Sequence, residues 1–348
     1  MPAAGRLLAL LLVSTAGIAL AQEPAKSELE QCARLADPKE RLACFDRLVP
    51  APTTTEEPAT RETPMPPEAR VSAEAERGSS LIGERWGIGI LDRDSRFDLR
   101  SHKGSYLLLA RYSNAPNTLP TSPTKPPLSA PLDIDQTEAK FQLSFKVRLA
   151  DFEHVVDGVP PAALWVGYTQ QSHWQVYNPQ VSRPFRETNY EPELMLAFFP
   201  DQTAFGWRWR LLALGLDHQS NGQSDPLSRS WNRVYLLFGI ERPNLGLLIR
   251  PWVRINEDYD RDDNPDITRY LGYGDITAVY THGDHTYSLL GRYNPASGKG
   301  AVQAAWSFPL QRTVHGYLQL FSGYGESLID YNWRQTTIGI GISISDAL

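Results

Sequence analysis

The chain has 348 residues, of which 41% are hydrophobic and 21% charged, and its formal net charge is −6. This length suffices for one large domain or two ordinary ones. The acidic balance argues against a general nucleic-acid-binding protein, which would concentrate basic residues on one face. The 9 Trp and 15 Tyr residues together outnumber the 12 Phe residues two to one, as expected at a boundary between apolar and wet surroundings. Beyond the N-terminus no apolar run approaches the roughly 18 residues of a membrane-spanning helix, which excludes a helical membrane protein.

The first 21 residues match a bacterial secretory signal peptide. Arg6 precedes an apolar run from Leu7 to Ala21, and this run ends in the sequence Ala19-Leu20-Ala21 before Gln22, which is the usual form of a cleavage site. A membrane anchor is the alternative, but about 15 residues are short for a helix that spans a bilayer. We therefore expect residues 1–21 to be removed on export.

Residues 22–49 and 50–80 have different compositions and predict different structures. Cys32 and Cys44 lie close together in a stretch with two short helical patterns, and in an oxidising periplasm we expect them to form a disulfide in a small module. The six prolines between Pro50 and Pro67 cannot contribute to a core, so residues 50–80 are predicted to be a disordered linker. The main domain is then residues 81–348.

The main domain alternates with the period of a β-strand. Phe141, Leu143, Phe145, Val147 and Leu149 are separated by polar or charged residues, so one face of the strand is apolar and the other polar. About twelve such segments have roughly the ten residues that a tilted strand needs to cross a bilayer. They are 105–113, 141–149, 162–173, 188–199, 204–218, 229–241, 246–256, 268–281, 284–293, 300–308, 313–323 and 338–345.

These segments predict an all-β fold, a transmembrane antiparallel β-barrel of about 12 strands. A soluble sandwich also alternates and is the alternative. The export signal, the length of the segments and the Trp and Tyr residues near their ends favour the barrel. The Pro-rich stretch from Asn114 to Pro131 is predicted to be a long loop between the first two strands.

The segment from Leu211 to Arg233 contains the candidate catalytic residues. His218 and Ser220 are two positions apart, so on a strand both side chains point to the face that the preceding leucines share. After a short polar connection, Asn232 has the same parity as Val234 and the apolar residues that follow. If the two strands are antiparallel neighbours, the three polar side chains meet on the outside of the barrel.

This combination of side chains points to nucleophilic acyl transfer. A serine hydroxyl becomes an effective nucleophile when an imidazole takes its proton and a third group holds the tautomer of that imidazole. An asparagine amide can do so without carrying charge, which costs less at a membrane surface than a carboxylate does. The spacing alone is a weak signal, because a histidine and a serine at a strand end are often ordinary polar residues.

The sequence around these residues resembles the signature of the outer membrane phospholipase A family. The run HQSNGQSDPLSRSWNR from His218 to Arg233 carries the resemblance, and PFRETNYEP (184–192), DDNPDIT (262–268) and SGYGESLIDYN (322–332) follow the same family pattern. The resemblance extends from about residue 97 to the C-terminus. It implies a Ca²⁺-dependent phospholipase of the Gram-negative outer membrane, active as a homodimer, with its N-terminus in the periplasm and with phospholipids and lysophospholipids as substrates of A1/A2-type hydrolysis.

The resemblance also implies the functions of individual catalytic residues. Ser220 corresponds to the nucleophile, His218 to the general base and Asn232 to the residue that orients the histidine. The backbone N–H of Gly222 corresponds to the donor that stabilises the oxyanion, where preorganised donors change rates by roughly 10²–10³.

A calcium site is implied in the same way. The ligands of the catalytic calcium correspond to the Ser228 hydroxyl, the Gln223 carbonyl and, from the other subunit, the Ser182 carbonyl, and such oxygen ligands suit a hard cation. The family commonly has arginine where this chain has Gln223, so any function of that arginine side chain is in doubt. Asp225 and Asp263 correspond to a second calcium position, and a solvated acidic loop is the equal alternative for this region.

Gln170 corresponds to the polar residue that family dimers bury at their membrane-facing interface. It has the same parity as Val166 and Tyr168, which favours an outward position, where an unpaired amide in lipid requires a partner. A glutamine that faces the lumen is the alternative.

Two other functions are compatible with a barrel. One is a porin-like channel, whose polar lumen would include Lys146 and Arg148, and the other is a catalytically silent outer-membrane barrel. The parity of the sequence separates the first from an enzyme, because a channel does not require His218, Ser220 and Asn232 on its outside. All the triad positions are filled, which disfavours the second.

Overall fold

The computed structural model describes residues 31–48, 80–88, 97, 99–152, 158–311 and 314–345, which belong to two compact units, Met1–Met65 and Pro66–Leu348. In the first unit, helix α1 spans Pro38–Leu48. Cys32 and Cys44 form a disulfide with a Cα–Cα distance of 5.5 Å, which confirms the predicted pairing. The predicted signal peptide and nearly all of the predicted linker lie outside the described residues.

Among the described residues, no helix has both the length and the apolar character to cross a membrane.

The described part of the second unit contains two short helices and fourteen strands. Their bounds in chain order are α2 (Leu81–Trp86), β1 (Leu99–Ser101), β2 (Ser105–Ser113), β3 (Thr137–Phe152), β4 (Ala162–Trp174), β5 (Phe185–Phe198), β6 (Gln202–Ala204), β7 (Trp207–Ser220), β8 (Ser230–Arg242), β9 (Leu245–Ile255), α3 (Ile267–Leu271), β10 (Gly274–His282), β11 (His285–Asn294), β12 (Lys299–Pro309), β13 (His315–Tyr324) and β14 (Arg334–Ser345).

Twelve of these strands close into an antiparallel barrel. Each long strand pairs with the next long strand along the chain, and β14 pairs with β2, for example through Ile338 and Tyr112. The two short strands pair at the margins, β1 with β3 and β6 with β7. The closed sheet confirms the predicted fold, and it leaves no edge with unpaired backbone groups in lipid.

The side chains on the two faces of the barrel follow the predicted alternation. On β14, Ile338 and Ile340 point outward and are 54% and 56% exposed, whereas Thr337, just before Ile338, is 3% exposed. On β3, Leu143 points outward, whereas Lys146 and Arg148 are buried inside. A soluble sandwich would bury the apolar face, so this apolar exterior is that of a membrane barrel.

The prediction for one of the strands is partly wrong. The segment 268–281 was expected to be a single strand, but it begins within helix α3 and enters β10 only at Gly274. Ile267 and Leu271 are buried among core residues that include Tyr331. Residues four positions apart share one face in a helix and also in a strand, so the spacing of these two apolar residues did not distinguish the two structures.

The lumen contains a network of buried charges at one end. The Arg111 guanidinium pairs with Glu138 at 2.8 Å and also with Glu326, and Lys140 pairs with Glu326 at 3.1 Å. These four side chains are buried. Buried ions are tolerated when they are paired, and these four charges pair with one another.

Helix α2 lies inside the lumen at the other end. Ser80 caps it by accepting from the Gly83 N–H at 2.8 Å, and donates to Glu241 at 2.6 Å. Trp86 packs edge-on against Trp165 at 5.7 Å. The Lys146 ammonium lies 3.3 Å from the centre of the Trp86 ring, in a cation–π contact. The helix therefore fills the space that an open channel would need.

The connections at the two ends of the barrel differ in length. At the end that holds α2, strands are joined by short turns such as residues 243–244 and 283–284. At the opposite end, long connections include residues 114–136, 175–184, 221–229 and 256–273. In outer-membrane barrels the short turns are periplasmic and the long loops extracellular.

We predict that Ile340→Arg destabilises the barrel by about 2–4 kcal/mol, because it places a charge on the lipid face near the middle of β14. The free energy of unfolding should be measured by urea titration in lipid vesicles. Phe205→Arg is the control: Phe205 lies in a turn and is 97% exposed, so its substitution should change stability by about 0.5 kcal/mol or less. Equal effects of the two substitutions would contradict the assignment of the lipid face.

Candidate active site

The hairpin of β7 and β8 presents the three candidate catalytic side chains on the outside of the barrel. On β7, Leu214 and Leu216 are about half exposed, and Asp217 on the opposite face is buried. His218 and Ser220 continue the outward set, since side chains alternate along a strand. Asn232 on β8 is outward in the same way, beside the buried Trp231. The predicted parity is therefore found in the structure.

His218 and Asn232 are in direct contact. They are cross-strand partners in the register of β7 and β8, and His218 Nδ1 lies 2.8 Å from Asn232 Oδ1. An amide oxygen only accepts hydrogen bonds, so in this contact Nδ1 carries the proton. The other ring nitrogen, Nε2, is then the one that can accept a proton.

Ser220 lies on the same face two residues further along β7, and it is partly buried. Its cross-strand neighbours are Tyr190 on β5 and Ser230 on β8. Among the described residues, its hydroxyl makes no hydrogen bond, and His218 bonds only to Asn232. The structure thus joins two of the three residues and places the third on the same face. Catalytic hydrogen bonds in proteins without substrate are often long and shorten only in the reacting complex.

A fourth polar side chain extends this group, and the sequence reasoning missed it. Asn232 Nδ2 donates to Glu257 Oε1 at 3.1 Å. Glu257 follows the end of β9, whose Ile255 is the cross-strand partner of Asn232. The signal was present in the sequence, because Val253, Ile255 and Glu257 share one parity, but Glu257 was considered only as part of an acidic loop.

The loop after Ser220 is held by the side chain of Asn221. Its amide donates to the Leu227 carbonyl at 2.8 Å and accepts from the Arg229 N–H at 2.9 Å. Gly222 follows with a φ of +63°, in the left-handed region that glycine adopts without strain. A Cβ at this position would lie 3.2 Å from the Tyr190 ring. The Gly222 N–H is therefore held by a fixed loop two residues from Ser220.

Gln223 is anchored to the lumen by its side chain. Its amide donates to Glu187 Oε2 at 2.7 Å and to the Arg186 carbonyl at 3.3 Å. In the described part of the chain, no group donates to the Gln223 carbonyl oxygen, so that oxygen is available as a ligand. The glutamine thus keeps the backbone in place although arginine is common at this position in the family that the sequence resembles.

This loop is held in place by segments that are distant in the sequence and that converge behind it. Glu187 accepts from the Ile329 N–H at 3.1 Å and from Asn221 at 3.2 Å. The Ser230 N–H donates to Asn264 at 3.0 Å. The four stretches that carry the family resemblance are therefore neighbours in space, and they support the loop from the lumen side.

The predicted second calcium position contains a lysine that the sequence reasoning did not consider. Lys125, from the long loop after β2, places its ammonium 2.7 Å from Asp225 and 2.6 Å from Asp263. Burial alone would raise the pKa of Asp263, but hydrogen bonds from Lys125 and Ser228 outweigh it and lower that pKa. The two aspartates do come together, as predicted, but an ammonium group lies between them.

The residues predicted to hold the catalytic calcium are only partly brought together within one chain. Ser228 donates its hydroxyl proton to Asp263 at 2.6 Å, which leaves the lone pairs of the Ser228 oxygen available to a cation. Ser228 lies in the same loop as Gln223. Ser182 lies in the separate connection between β4 and β5, with a φ of +62°. The donor set therefore fits a hard cation, with Ser182 expected from a second subunit.

A second acidic group lies inside the lumen. Glu191, Glu193 and Asp217 have carboxylate oxygens within 4.8 Å of one another. Lys103 pairs with both glutamates at 2.9 Å, and Arg233 pairs with Glu191 at 2.9 Å and with Asp217 at 2.5 Å. Each of the three carboxylates therefore has a cationic partner, so we interpret the group as a structural ion-pair network of the barrel.

Gln170 points to the outside of the barrel, as its parity predicted. Its side chain accepts from the Tyr168 hydroxyl and donates to the Ser172 hydroxyl, both at 3.3 Å. It is therefore not a lumen residue. The register also places it in line with the candidate nucleophile, because Gln170 pairs with Tyr190, and Tyr190 pairs with Ser220.

The model of the family described as phospholipase A1 matches residues 82–344, which are more than half of the chain. The chain belongs to the phospholipase A1 family. A protein from Neisseria meningitidis serogroup B is 39% identical over 352 residues, which cover 91% of this chain and 90% of the relative. Phospholipase A1 from Escherichia coli K12 is 44% identical over 209 residues, which cover 60% of this chain and 70% of the relative.

Solved structures agree with this assignment. Outer membrane phospholipase A from Escherichia coli is similar with a TM-score of 0.64 and 38% identity, covering 72% of this chain and 95% of that chain. A crystal structure of the Salmonella typhi outer membrane phospholipase, a dimer with bound calcium, gives a TM-score of 0.66 and 37% identity, covering 74% of this chain and 96% of that chain. The protein is thus a phospholipase-family enzyme with the fold of an outer-membrane β-barrel.

Proposed function

We propose that the protein is a calcium-dependent serine hydrolase that cleaves the acyl esters of phospholipids and lysophospholipids, with A1/A2-type activity. The observation that carries this proposal is the 2.8 Å contact between His218 Nδ1 and Asn232 Oδ1 on the outside of the barrel, with Ser220 on the same face. An imidazole with a fixed tautomer beside a hydroxyl is the arrangement that activates a serine.

The position of the proton on the His218 ring determines how the reaction proceeds. Because Nδ1 donates to Asn232, Nε2 accepts the proton of Ser220 as its Oγ attacks the ester carbonyl, after the serine side chain rotates toward the ring. His218 then returns this proton to the departing alcohol, which leaves an acyl group on Ser220. A water molecule that gives its proton to His218 attacks the acyl group, and the fatty acid is released as the Ser220 hydroxyl re-forms.

The negative charge that develops on the carbonyl oxygen requires donors. The backbone N–H of Gly222, held by the hydrogen bonds of Asn221, supplies one of them. Calcium, held by the Gln223 carbonyl, the Ser228 hydroxyl and Ser182 of a second subunit, would supply positive charge for the same oxyanion when it is bound.

A groove beside the candidate triad suits an acyl chain that arrives from the membrane. The groove includes His218 and Asn232, and apolar side chains extend it away from them along neighbouring strands; these are Val166, Leu194, Leu216 and Ile255. The triad lies toward the end of the barrel with long loops, so the orientation usual for such barrels places it at the outer leaflet, with the N-terminus in the periplasm. The substrate would then reach Ser220 sideways, without leaving the membrane.

The lumen disfavours the alternative of a porin-like channel. Helix α2 and the paired charges around Arg111 and Glu326 fill both ends of the described lumen. Lys146 and Arg148, which a channel would expose to water, are at most 1% exposed. A channel also does not require His218, Ser220 and Asn232 on the outside of the barrel.

We predict that Ser220→Ala abolishes phospholipid hydrolysis and labelling by a sulfonyl fluoride, while the barrel keeps its heat-modifiable migration in electrophoresis. The Ser220 hydroxyl is the group that attacks the ester in hydrolysis and that the sulfonyl fluoride modifies. The parent protein should be labelled at Ser220 in calcium and much more slowly in excess chelator. Parental turnover in Ser220→Ala would refute the nucleophile, and full activity in chelator would refute the need for calcium.

The position of Gln170 suggests how dimerisation would complete the site. Gln170 and Ser220 are aligned two strands apart, which corresponds to about 10 Å across the sheet. The connection that carries Ser182 joins β4, the strand of Gln170, to β5. A partner that packs on Gln170 would therefore bring a second chain beside the triad and its calcium ligands, so we propose that the homodimer is the active form.

We predict that Gln170→Ala shifts the protein toward monomer, because it removes an outward amide whose remaining hydrogen-bonding capacity a partner would satisfy in lipid. The monomer fraction should be measured by sedimentation equilibrium in detergent with calcium and a substrate analogue. Thr336→Ala is the control, since Thr336 is also an outward polar residue but lies on β14. An unchanged monomer fraction in Gln170→Ala would contradict the proposed interface.

We propose further that Lys125 replaces the second calcium ion. Its ammonium contacts both carboxylates at hydrogen-bonding distance, and a second cation in the same space would be repelled. This arrangement keeps a positive charge beside the loop of Gln223 and Ser228 without a metal.

We predict that Lys125→Met binds one more calcium ion per subunit than the parent protein does, because Asp225 and Asp263 are then freed for a cation. Equilibrium dialysis with radioactive calcium gives this stoichiometry without reference to activity. Lys39→Met, which removes an exposed lysine from α1, should leave the stoichiometry unchanged. Equal stoichiometry in Lys125→Met and the parent would overturn the assignment.

A further inference from the structure

Glu257 ends a chain of hydrogen bonds that begins at His218. His218 Nδ1 lies 2.8 Å from Asn232 Oδ1, and Asn232 Nδ2 lies 3.1 Å from Glu257 Oε1. His218 and Asn232 lie near the ends of the adjacent strands β7 and β8, and Glu257 follows the end of the next strand, β9. Both polar ends of the Asn232 amide are therefore engaged, one by the imidazole and one by a carboxylate.

The orientation of the Asn232 amide decides which nitrogen of His218 can act as a base. If the amide were rotated by half a turn, its NH₂ group would face Nδ1, and Nδ1 would have to accept the hydrogen bond. The ring proton would then lie on Nε2, and Nε2 could not take the proton of Ser220. An aspartate in this position would avoid the difficulty, since both of its oxygens accept.

We propose that Glu257 is a positioning residue that holds Asn232 in the catalytically competent orientation; this inference rests on the proposed function of the triad. A carboxylate only accepts hydrogen bonds, so it draws the NH₂ group of Asn232 toward itself and leaves the amide oxygen for His218. Glu257 thereby acts through Asn232 and selects the Nδ1-protonated tautomer of His218.

The place of Glu257 in the fold supports this function. It has the outward parity of Val253 and Ile255, which are 71% and 45% exposed, but it lies beyond the end of β9 in a polar loop. The neutral amide thus occupies the apolar surface, where a charge would be costly, and the charged carboxylate lies at its polar margin.

Three other acids of this loop have partners of their own. Asp262 pairs with Arg254 at 2.6 Å, Asp263 with Lys125 at 2.6 Å, and Asp266 accepts from Tyr331 at 2.7 Å. Glu257 is distinguished from them by its contact with a candidate catalytic side chain. The run of acids in the sequence therefore separates into residues with individual functions.

A double-mutant cycle tests the proposal. With Asn232 present, Glu257→Ala should lower kcat about tenfold with little change in KM, whereas Glu257→Gln should retain most of the activity, since its amide oxygen can accept the same hydrogen bond. With Asn232→Asp, the further change Glu257→Ala should cause no loss of kcat, because a carboxylate accepts from His218 in either orientation.

The control variant is Asp260→Ala, which removes an exposed charge from the same loop and should leave kcat unchanged. Equal losses in Glu257→Ala and Glu257→Gln, or the same loss with Asn232→Asp as with Asn232, would overturn the inference. These outcomes are distinct from a failure of the triad itself, which would appear as activity that persists in Ser220→Ala.

Discussion

The register between β7 and β8 is the constraint on which the candidate site depends. It pairs His218 with Asn232 and places both on the lipid-facing surface. A slip of one residue would turn one of these side chains into the lumen, because side chains alternate along a strand. The closed barrel prevents such a slip, since β7 is held by β5 and β8 by β9, and each strand buries one face and presents apolar residues on the other.

Side chains in the lumen of this barrel support the candidate site from within. The buried carboxylates and guanidinium groups of the lumen pair with one another, and some of them reach the backbone behind the candidate site. Glu187 shows this connection, because it accepts from Gln223, which carries a proposed calcium ligand, and from Ile329 in a distant loop. A hydrogen-bonded interior of this kind holds a loop in one conformation, so the donors for a developing charge are positioned before substrate arrives.

The neutral orienting residue fits its surroundings. At an apolar surface an amide is cheaper to accommodate than a carboxylate, but an amide has two unlike ends and needs something to fix its direction. The structure places Glu257 where it does so, at the polar margin of the strand. Lys125 offers a similar substitution at the neighbouring acidic pair, where an ammonium from another loop takes the position expected for a metal ion.

Alternation along a strand and the proximity of two cysteines are local properties, so the sequence was sufficient to predict the barrel, the Cys32–Cys44 pair and the parity of His218, Ser220, Asn232 and Gln170. It misassigned the start of segment 268–281, where period two obscured a short helix. The contact of Glu257 with Asn232 and the place of Lys125 between Asp225 and Asp263 could be seen only in the folded chain. Those contacts join residues from separate strands and loops, and their distances depend on closure of the barrel, which no local pattern encodes.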